Sequence, residues 1–162
     1  MDYFKSFGID IAKSQPHEEA VYSIALLYNL LNARIEEYLG PFGLSAAKFN
    51  VLMTVEHQRD GRGISQVDIS KHLIVSPANM TKLLDKLEDE ALVTRSALEG
   101  DRRVKIVRTT AKGEKLLDQV WPGYLKILHE LGSKMQAGKQ SQTAKLLREW
   151  IVRLADERAG HV

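Results

Sequence analysis

The sequence predicts a mostly α-helical fold with a small β-hairpin, an α+β class. Three observations favour this class. Apolar residues recur at helical spacing along most of the chain, and several segments open with residues typical of helix N-termini. One charged stretch, LVTRSALEGDRRVKIVRTT at 92–110, has the pattern of two strands joined by a tight tip. We treat all 162 residues as a single domain, because this length is enough to bury a sizeable core.

Serine caps, proline and glycine set most of the predicted helix ends. The predicted helices span 17–39, 45–58, 65–73, 77–90, a fifth from about Thr110, and 142–158. The first helix is apolar nearly all round over 21–31, so it needs cover from its own domain and from a partner subunit. Pro122 lies inside the fifth helix, where we expect a kink or a break. Ser141 is the predicted cap of the last helix.

Two short strands, 92–96 and 103–108, complete the element order of a winged helix-turn-helix, which predicts a DNA-binding lobe at 45–108. The outer face of the fourth helix supports this prediction, because its first turns are small, polar and free of acid. A helix N-terminus of this kind suits the major groove, where side chains read base edges. The predicted contact residues of this recognition helix are Ser76, Pro77, Ala78, Asn79, Thr81, Lys82 and Lys86.

The hairpin carries five cations, Arg108 among them, and the other four predict a second contact with DNA. Arg102 and Arg103 lie at its tip, and Arg95 and Lys105 lie on its strands. Guanidinium groups are favoured in a narrow minor groove, because negative potential is concentrated there. We therefore interpret the hairpin as a wing that binds DNA beside the site read by the recognition helix.

Two segments resemble the MarR family of winged-helix repressors: SPANMTKLLDKLEDEALVTR from Ser76 and DRRVKIVRTTAKG from Asp101. The resemblance covers roughly 20–131 and is densest over 48–113. It implies that Arg103 enters the minor groove and that Asp101 braces it. It also implies that five recognition-helix residues fall on the family's contact positions, namely Ser76, Pro77, Asn79, Thr81 and Lys82, and we interpret Arg102 as a phosphate contact.

Three residues depart from the pattern of this family. Ala91 stands where the family has a glycine in the left-handed conformation that ends the recognition helix. Alanine in that conformation costs roughly 1–2 kcal/mol, so either strain is stored or the helix ends differently. Thr109 replaces a leucine and is expected to loosen one core contact. Leu98 replaces an acid on the wing, where it either packs on sugar or is merely tolerated.

The two ends of the chain, 17–39 and 110–158, are the predicted dimerisation helices, since their apolar faces would otherwise be exposed and the resemblance implies a homodimer. Two subunits would engage the half-sites of a pseudo-palindromic operator about 34 Å apart. The resemblance also implies a crevice for a small aromatic or phenolic effector, which would favour a form unable to bind DNA. The candidate pocket residues, each also explained by a role in the core, are Tyr28, Asn32, Phe49, Met53 and Trp121.

Several classes of function find no support in the sequence. The chain contains no cysteine and its five histidines form no i, i+4 pair, so we expect no metal and no cofactor. We find no nucleophile–base arrangement and no glycine-rich phosphate loop, and therefore expect no enzyme. No apolar run approaches the ~20 residues of a membrane helix, and the N-terminus lacks the apolar core of a signal peptide, so we expect a cytoplasmic protein.

The sequence therefore predicts a homodimeric regulator of transcription that binds specific double-stranded DNA, represses, and is released by a small effector. The alternative is a winged helix that serves as a protein-interaction module, with its basic wing directed at an acidic partner. A salt titration against duplex DNA distinguishes the two alternatives. The DNA affinity of such a regulator falls steeply with salt concentration, because each phosphate contact releases counterions.

Overall fold

The computed structural model describes residues 3–57, 63–98 and 100–159. Its α-helices are α1 (Pro16–Leu39), α2 (Ala46–Glu56), α3 (Gln66–Leu73), α4 (Pro77–Asp89), α5 (Ala111–Ser133) and α6 (Gln140–Ala159). Its strands are β1 (Ile64–Ser65), β2 (Val93–Leu98) and β3 (Asp101–Thr109). Short 3-10 helices occur at Lys5–Phe7, Ile11–Lys13 and Gly40–Phe42. The predicted class, mostly α with a small β-hairpin, is confirmed. The sequence RDGRG also predicts a turn at 59–63, and this segment lies outside the described residues except for Gly63.

Serine side chains cap the three helices of the DNA-binding lobe, as predicted. The hydroxyls of Ser45, Ser65 and Ser76 each accept a hydrogen bond from the backbone N–H three residues further on, at 3.2 Å, 3.1 Å and 3.4 Å. Pro77 takes the first position of α4, where its missing N–H leaves no helical bond unmade. The start of each helix is therefore specified locally.

One predicted feature of the C-terminal helices is wrong, and another is wrong in part. Of the kink or break expected at Pro122, the break does not occur, since α5 continues through the proline, and the kink stays a prediction. The turn before the proline is held by tertiary contacts: Val120 is fully buried, and its carbonyl accepts a 2.7 Å hydrogen bond from the Tyr38 hydroxyl of α1. The last helix begins at Gln140, so Ser141 lies inside its first turn and does not cap it. The Gln140 side chain instead donates to the carbonyl of Gly132 at 3.0 Å.

The hairpin belongs to a three-stranded antiparallel sheet in the order β1-β3-β2. The sequence did not predict β1, because two residues are too short to show a period of two. Ile64 of β1 pairs with Val107 of β3, and a bulge interrupts the pairing of β2 with β3 between Ala97 and Leu98. Gly63, at φ +71°, precedes β1, and a Cβ there would lie 2.5 Å from the carbonyl oxygen of Val107. Only glycine lets β1 approach β3 this closely.

The core of the lobe lies where α2, α3 and α4 meet the inner face of the sheet. Its fully buried side chains are Phe49, Val51, Leu52, Ile69, Met80, Leu84, Leu87, Val93 and Val107. Met80, Leu84 and Leu87 form the buried face of α4, and Leu83 is half-buried. Apolar burial on this scale holds α4 rigidly with its opposite face in solvent.

The chain divides into two compact units, Met1–Pro122 and Gly123–Val162, and its assignment to a single domain stays a prediction. The first unit contains the winged lobe together with α1. The second consists of the later part of α5 and α6. Within the described ranges, no helix combines the length and apolar character needed to cross a membrane.

Candidate nucleic-acid interface

The outer face of α4 is exposed as the sequence predicts. The residues predicted to contact DNA, all exposed, are Ser76, Pro77, Ala78, Asn79, Thr81, Lys82 and Lys86. No acid occurs in the first turn of the helix, and Lys86 lies in its last turn. The helix dipole favours an anion at the N-terminus. This face therefore combines an attraction for phosphate with small polar groups that fit a groove.

At the tip of the wing, Asp101 orients Arg103. The Asp101 Oδ1 atom accepts a 3.0 Å hydrogen bond from the Arg103 backbone N–H and lies 3.4 Å from its Nε. The Arg103 side chain is nevertheless 94% exposed. The carboxylate thus holds one edge of the guanidinium and leaves the rest of the group in solvent. Arg102 lies in β3, but its side chain is outside the described part of the structure.

Arg95, which the sequence assigned to the DNA-binding wing, gives its donors to carboxylates of the protein. Its Nε lies 2.9 Å from Glu88 Oε2, and its Nη2 lies 2.7 Å from Asp85 Oδ1. Only 21% of its side chain is exposed. The hydrogen bond from Arg95 lowers the pKa of Glu88, and the same bond raises the pKa of Arg95. Arg95 therefore ties β2 to the last turns of α4, which fixes the wing against the recognition helix.

The C-terminal end of α4 is tied to α2 and α5 by two lysines that sequence reasoning missed. Lys48 Nζ contacts both carboxylate oxygens of Glu90, at 2.5 Å and 2.7 Å, and Lys112 Nζ donates to the Glu90 carbonyl at 2.8 Å. A cation is favoured at this end of a helix by the dipole. Ala91 follows with φ +55°, so the left-handed conformation is kept and its strain is stored.

The remaining wing residues divide between solvent and the hairpin itself. Lys105 is exposed on β3, and Leu98 at the tip is 43% exposed. Arg108 donates a 2.9 Å hydrogen bond to Ser96 across the two strands. Arg103 and Lys105 thus lie exposed toward the tip, whereas Arg108, also exposed, is bonded to the neighbouring strand.

Gln66, the first residue of α3, is a further polar contact of the recognition helix that the sequence did not indicate. Its Nε2 donates to the Thr81 hydroxyl at 2.9 Å. The only signal available in the sequence was its position directly after the cap Ser65. Such a position is common to many helices, so the pairing with Thr81 becomes visible only in the fold.

The five candidate pocket residues have different surroundings. Phe49 is 2% exposed in the core, whereas Tyr28 is 64% and Trp121 is 39% exposed. Asn32 and Met53 are half-buried. An open cavity of about 400 Å³ near the end of α4 includes none of the five among its lining residues, which are Phe42, Gly43, Glu90, Leu92, Lys112, Lys115, Leu116 and Gln119. Among the described residues, no group of three or more His, Asp or Glu is placed to hold a metal ion.

A family model described as MarR family matches residues 44–105, which include α2 through most of β3. The transcriptional repressor MprA of Escherichia coli strain K12 is 28% identical over 149 residues, covering 88% of this chain and 84% of that repressor. The HTH-type transcriptional regulator MhqR of Bacillus subtilis is 26% identical over 121 residues, covering 75% of this chain and 81% of that regulator.

Solved structures match over nearly their whole length. The crystal structure of a mutant MarR from E. coli complexed with operator DNA gives a TM-score of 0.72 at 25% identity, covering 84% of this chain and 98% of that chain. The crystal structure of AbsC, a MarR family transcriptional regulator from Streptomyces coelicolor, gives a TM-score of 0.77 at 20% identity, covering 91% and 97%. The second match supports the fold alone.

Proposed function

Because the chain belongs to the MarR family and is a DNA-binding regulator of transcription, we propose that it acts as a homodimeric repressor on a pseudo-palindromic operator. One observation carries the proposal: α4 exposes an acid-free N-terminal face, while the wing of the same unit exposes an arginine oriented by Asp101. The first feature suits base edges in the major groove, and the second suits a minor groove.

The proposed DNA contacts are of two kinds: some set the sequence preference, and others add affinity for most sequences. Asn79 and Lys82 face solvent from the first turns of α4 and read base edges, so they set the sequence preference. Arg103 and Lys105 bind through charge and groove width, so they add affinity for most sequences. Arg95 positions the wing through Glu88 and does not contact DNA.

Homodimerisation is supported by apolar side chains that each unit exposes on its own. In α1 of the first unit these are Val21, Tyr22, Ile24, Leu27, Tyr28 and Leu30. In the second unit they are Leu125, Leu128, Leu146, Ile151, Val152 and Leu154. Apolar surface in such quantity is typical of protein interfaces. A second copy of the chain that covers it would also supply the second recognition helix that a two-fold operator requires.

We further propose that a small aromatic or phenolic effector releases the repressor. Tyr28, Asn32, Met53 and Trp121 retain exposed surface, whereas the burial of Phe49 leaves it a role in the core. An effector that binds only the DNA-incompetent form shifts the population away from the operator. A panel of aromatic acids and phenols, measured by thermal shift and by release of duplex DNA, tests this. Failure of the whole panel in both measurements would contradict it.

Selection of bound duplexes from a random pool tests the main proposal. We expect an enriched inverted repeat whose half-sites lie about one helical turn, ~34 Å, apart. Sedimentation of the free protein should give twice the mass of the chain. A protein-interaction module would enrich no sequence, and a monomer that bound single half-sites would contradict the dimer.

A further inference from the structure

Gln66 and Thr81 connect the first position of α3 to the outer face of α4. The Gln66 Nε2 donates to Thr81 Oγ1 at 2.9 Å, and Thr81 Oγ1 donates to the carbonyl of Pro77, one turn earlier, at 3.0 Å. The direction of both bonds is fixed, because an amide nitrogen only donates and a carbonyl only accepts. The single hydroxyl proton of Thr81 is therefore used within the protein. Toward a base, Thr81 offers a lone pair or its methyl group, and no donor.

The Gln66 carboxamide, unlike Thr81, still has a hydrogen-bond donor to offer a base. One of its two amide hydrogens is used on Thr81, which leaves the second hydrogen as a donor and Oε1 as an acceptor. Adenine presents the complementary pair in the major groove, the N7 acceptor and the N6 amino donor. Gln66 is half-buried and follows the cap Ser65, so its backbone and stem are held in place. The bond to Thr81 then fixes the plane of the amide.

We propose that Gln66 is a specificity-determining residue of the DNA interface, which reads an adenine with its carboxamide while Thr81 holds that group in the reading orientation. The inference rests on the proposed function, because it assumes that the outer face of α4 enters the major groove. It adds a second element, the start of α3, to the surface that reads bases. Thr81 thereby becomes a positioning residue that donates no hydrogen bond to a base.

The test is a random-duplex selection carried out in parallel with the wild-type protein, Gln66→Ala, Gln66→Glu and Thr81→Val. The matched control is Gln119→Ala, which removes an exposed glutamine on α5 far from α4 in sequence. In the wild type we expect one adenine at symmetric positions in the two half-sites. Gln66→Ala should reduce discrimination at that position by roughly tenfold to a hundredfold and leave the other positions unchanged.

Two variants separate reading from positioning. A carboxylate accepts from the amino group of cytosine, so Gln66→Glu should move the preference at the same position from adenine toward cytosine. Thr81→Val keeps the shape of the side chain but removes the hydroxyl that fixes the amide, and should broaden the preference at that position alone. Circular dichroism melts of all variants verify folding before selection.

The outcomes distinguish the inference from the function it rests on. If the wild type selects an inverted repeat and Gln66→Ala selects the same sequence with the same preferences, the inference is wrong and the proposed function stands. If Gln66→Ala weakens binding equally for all sequences, Gln66 contacts phosphate and the inference is also wrong. If the wild type enriches no sequence, both fail.

Discussion

The Glu88 carboxylate at the end of α4 accepts hydrogen bonds from both the backbone N–H and the guanidinium of Arg95 in β2, at 3.0 Å and 2.9 Å. This pairing joins the two parts of the molecule that we propose to bind adjacent grooves. A hairpin is only marginally stable alone, so its direction depends on such attachments to the helices. The pairing is formed by charges, and its strength therefore depends on pH.

Glu88→Gln should destabilise the protein at neutral pH and have progressively less effect in acid. The folded-state pKa of Glu88 lies below its ordinary value of 4.5, because Arg95 stabilises the carboxylate. The stabilisation is therefore present above pH 4.5 and is lost as pH falls toward the lowered folded value. Urea unfolding of both proteins between about pH 7 and about pH 3.5 measures this, and partial exposure limits the expected difference to about 1 kcal/mol. A difference that grew on acidification would contradict the assignment.

Ala91→Gly should stabilise the protein by about 1 kcal/mol. Ala91 has φ +55°, where an alanine costs roughly 1–2 kcal/mol, and the greater entropy loss of glycine offsets only part of the gain. Ala33→Gly, at an exposed position in the interior of α1, is the control and should lower stability by about 0.5–1 kcal/mol. Thermal unfolding of both variants provides the comparison. Equal destabilisation by the two substitutions would show that Ala91 stores no strain.

Two neighbouring threonines should respond in opposite directions to replacement by valine. The buried Oγ1 of Thr109 has no hydrogen-bond partner among the described residues, so Thr109→Val should stabilise the protein by about 1 kcal/mol. The Thr110 hydroxyl donates to the Ala91 carbonyl at 2.7 Å and accepts from the Gly113 N–H at 3.1 Å, as an N-cap of α5. Thr110→Val should therefore cost about 1 kcal/mol or more. Denaturant midpoints that moved in the same direction would refute this contrast.

Ile151→Glu should weaken self-association. The side chain is 64% exposed in the second unit, and a dimer that buries it would have to desolvate the introduced charge. Sedimentation equilibrium should show a shift from twice the chain's mass toward the monomer. Leu98→Glu, which places a charge on an exposed apolar residue of the wing, is the control and should keep the dimer mass. Dissociation by both variants, or by neither, would argue against the proposed interface.

Local signals in the sequence predicted most of the elements. A serine followed by helical spacing located α2, α3 and α4, because a cap satisfies the first N–H groups within four residues. The left-handed conformation of Ala91 is one of the two alternatives that the sequence left open for the end of α4. Thr109, expected to loosen a core contact, is half-buried, and its hydroxyl has no hydrogen-bond partner within the described part of the chain.

Features that depend on distant residues could not be predicted in this way. The role of Arg95 depends on Asp85 and Glu88 in another element, and a list of cations does not show which of them are paired. The continuity of α5 through Pro122 depends on tertiary contacts such as that of Tyr38 with the preceding turn. The left-handed conformation of Ile74 (φ +54°), in the turn between α3 and α4, was not predicted either, because a β-branched residue rarely adopts it.

The most direct test of the account is the affinity of Arg103→Ala for duplex DNA over a range of salt concentrations. Arg103 is 94% exposed and held by Asp101, so its loss should weaken binding to the selected operator and to unrelated duplexes alike, by roughly tenfold. The slope of log affinity against log salt concentration should become shallower by about one, which corresponds to the release of one counterion fewer. Lys13→Ala, which removes an 85% exposed cation near the N-terminus, should leave both unchanged. An Arg103→Ala protein with wild-type affinity and salt dependence would contradict the assignment of the wing to DNA.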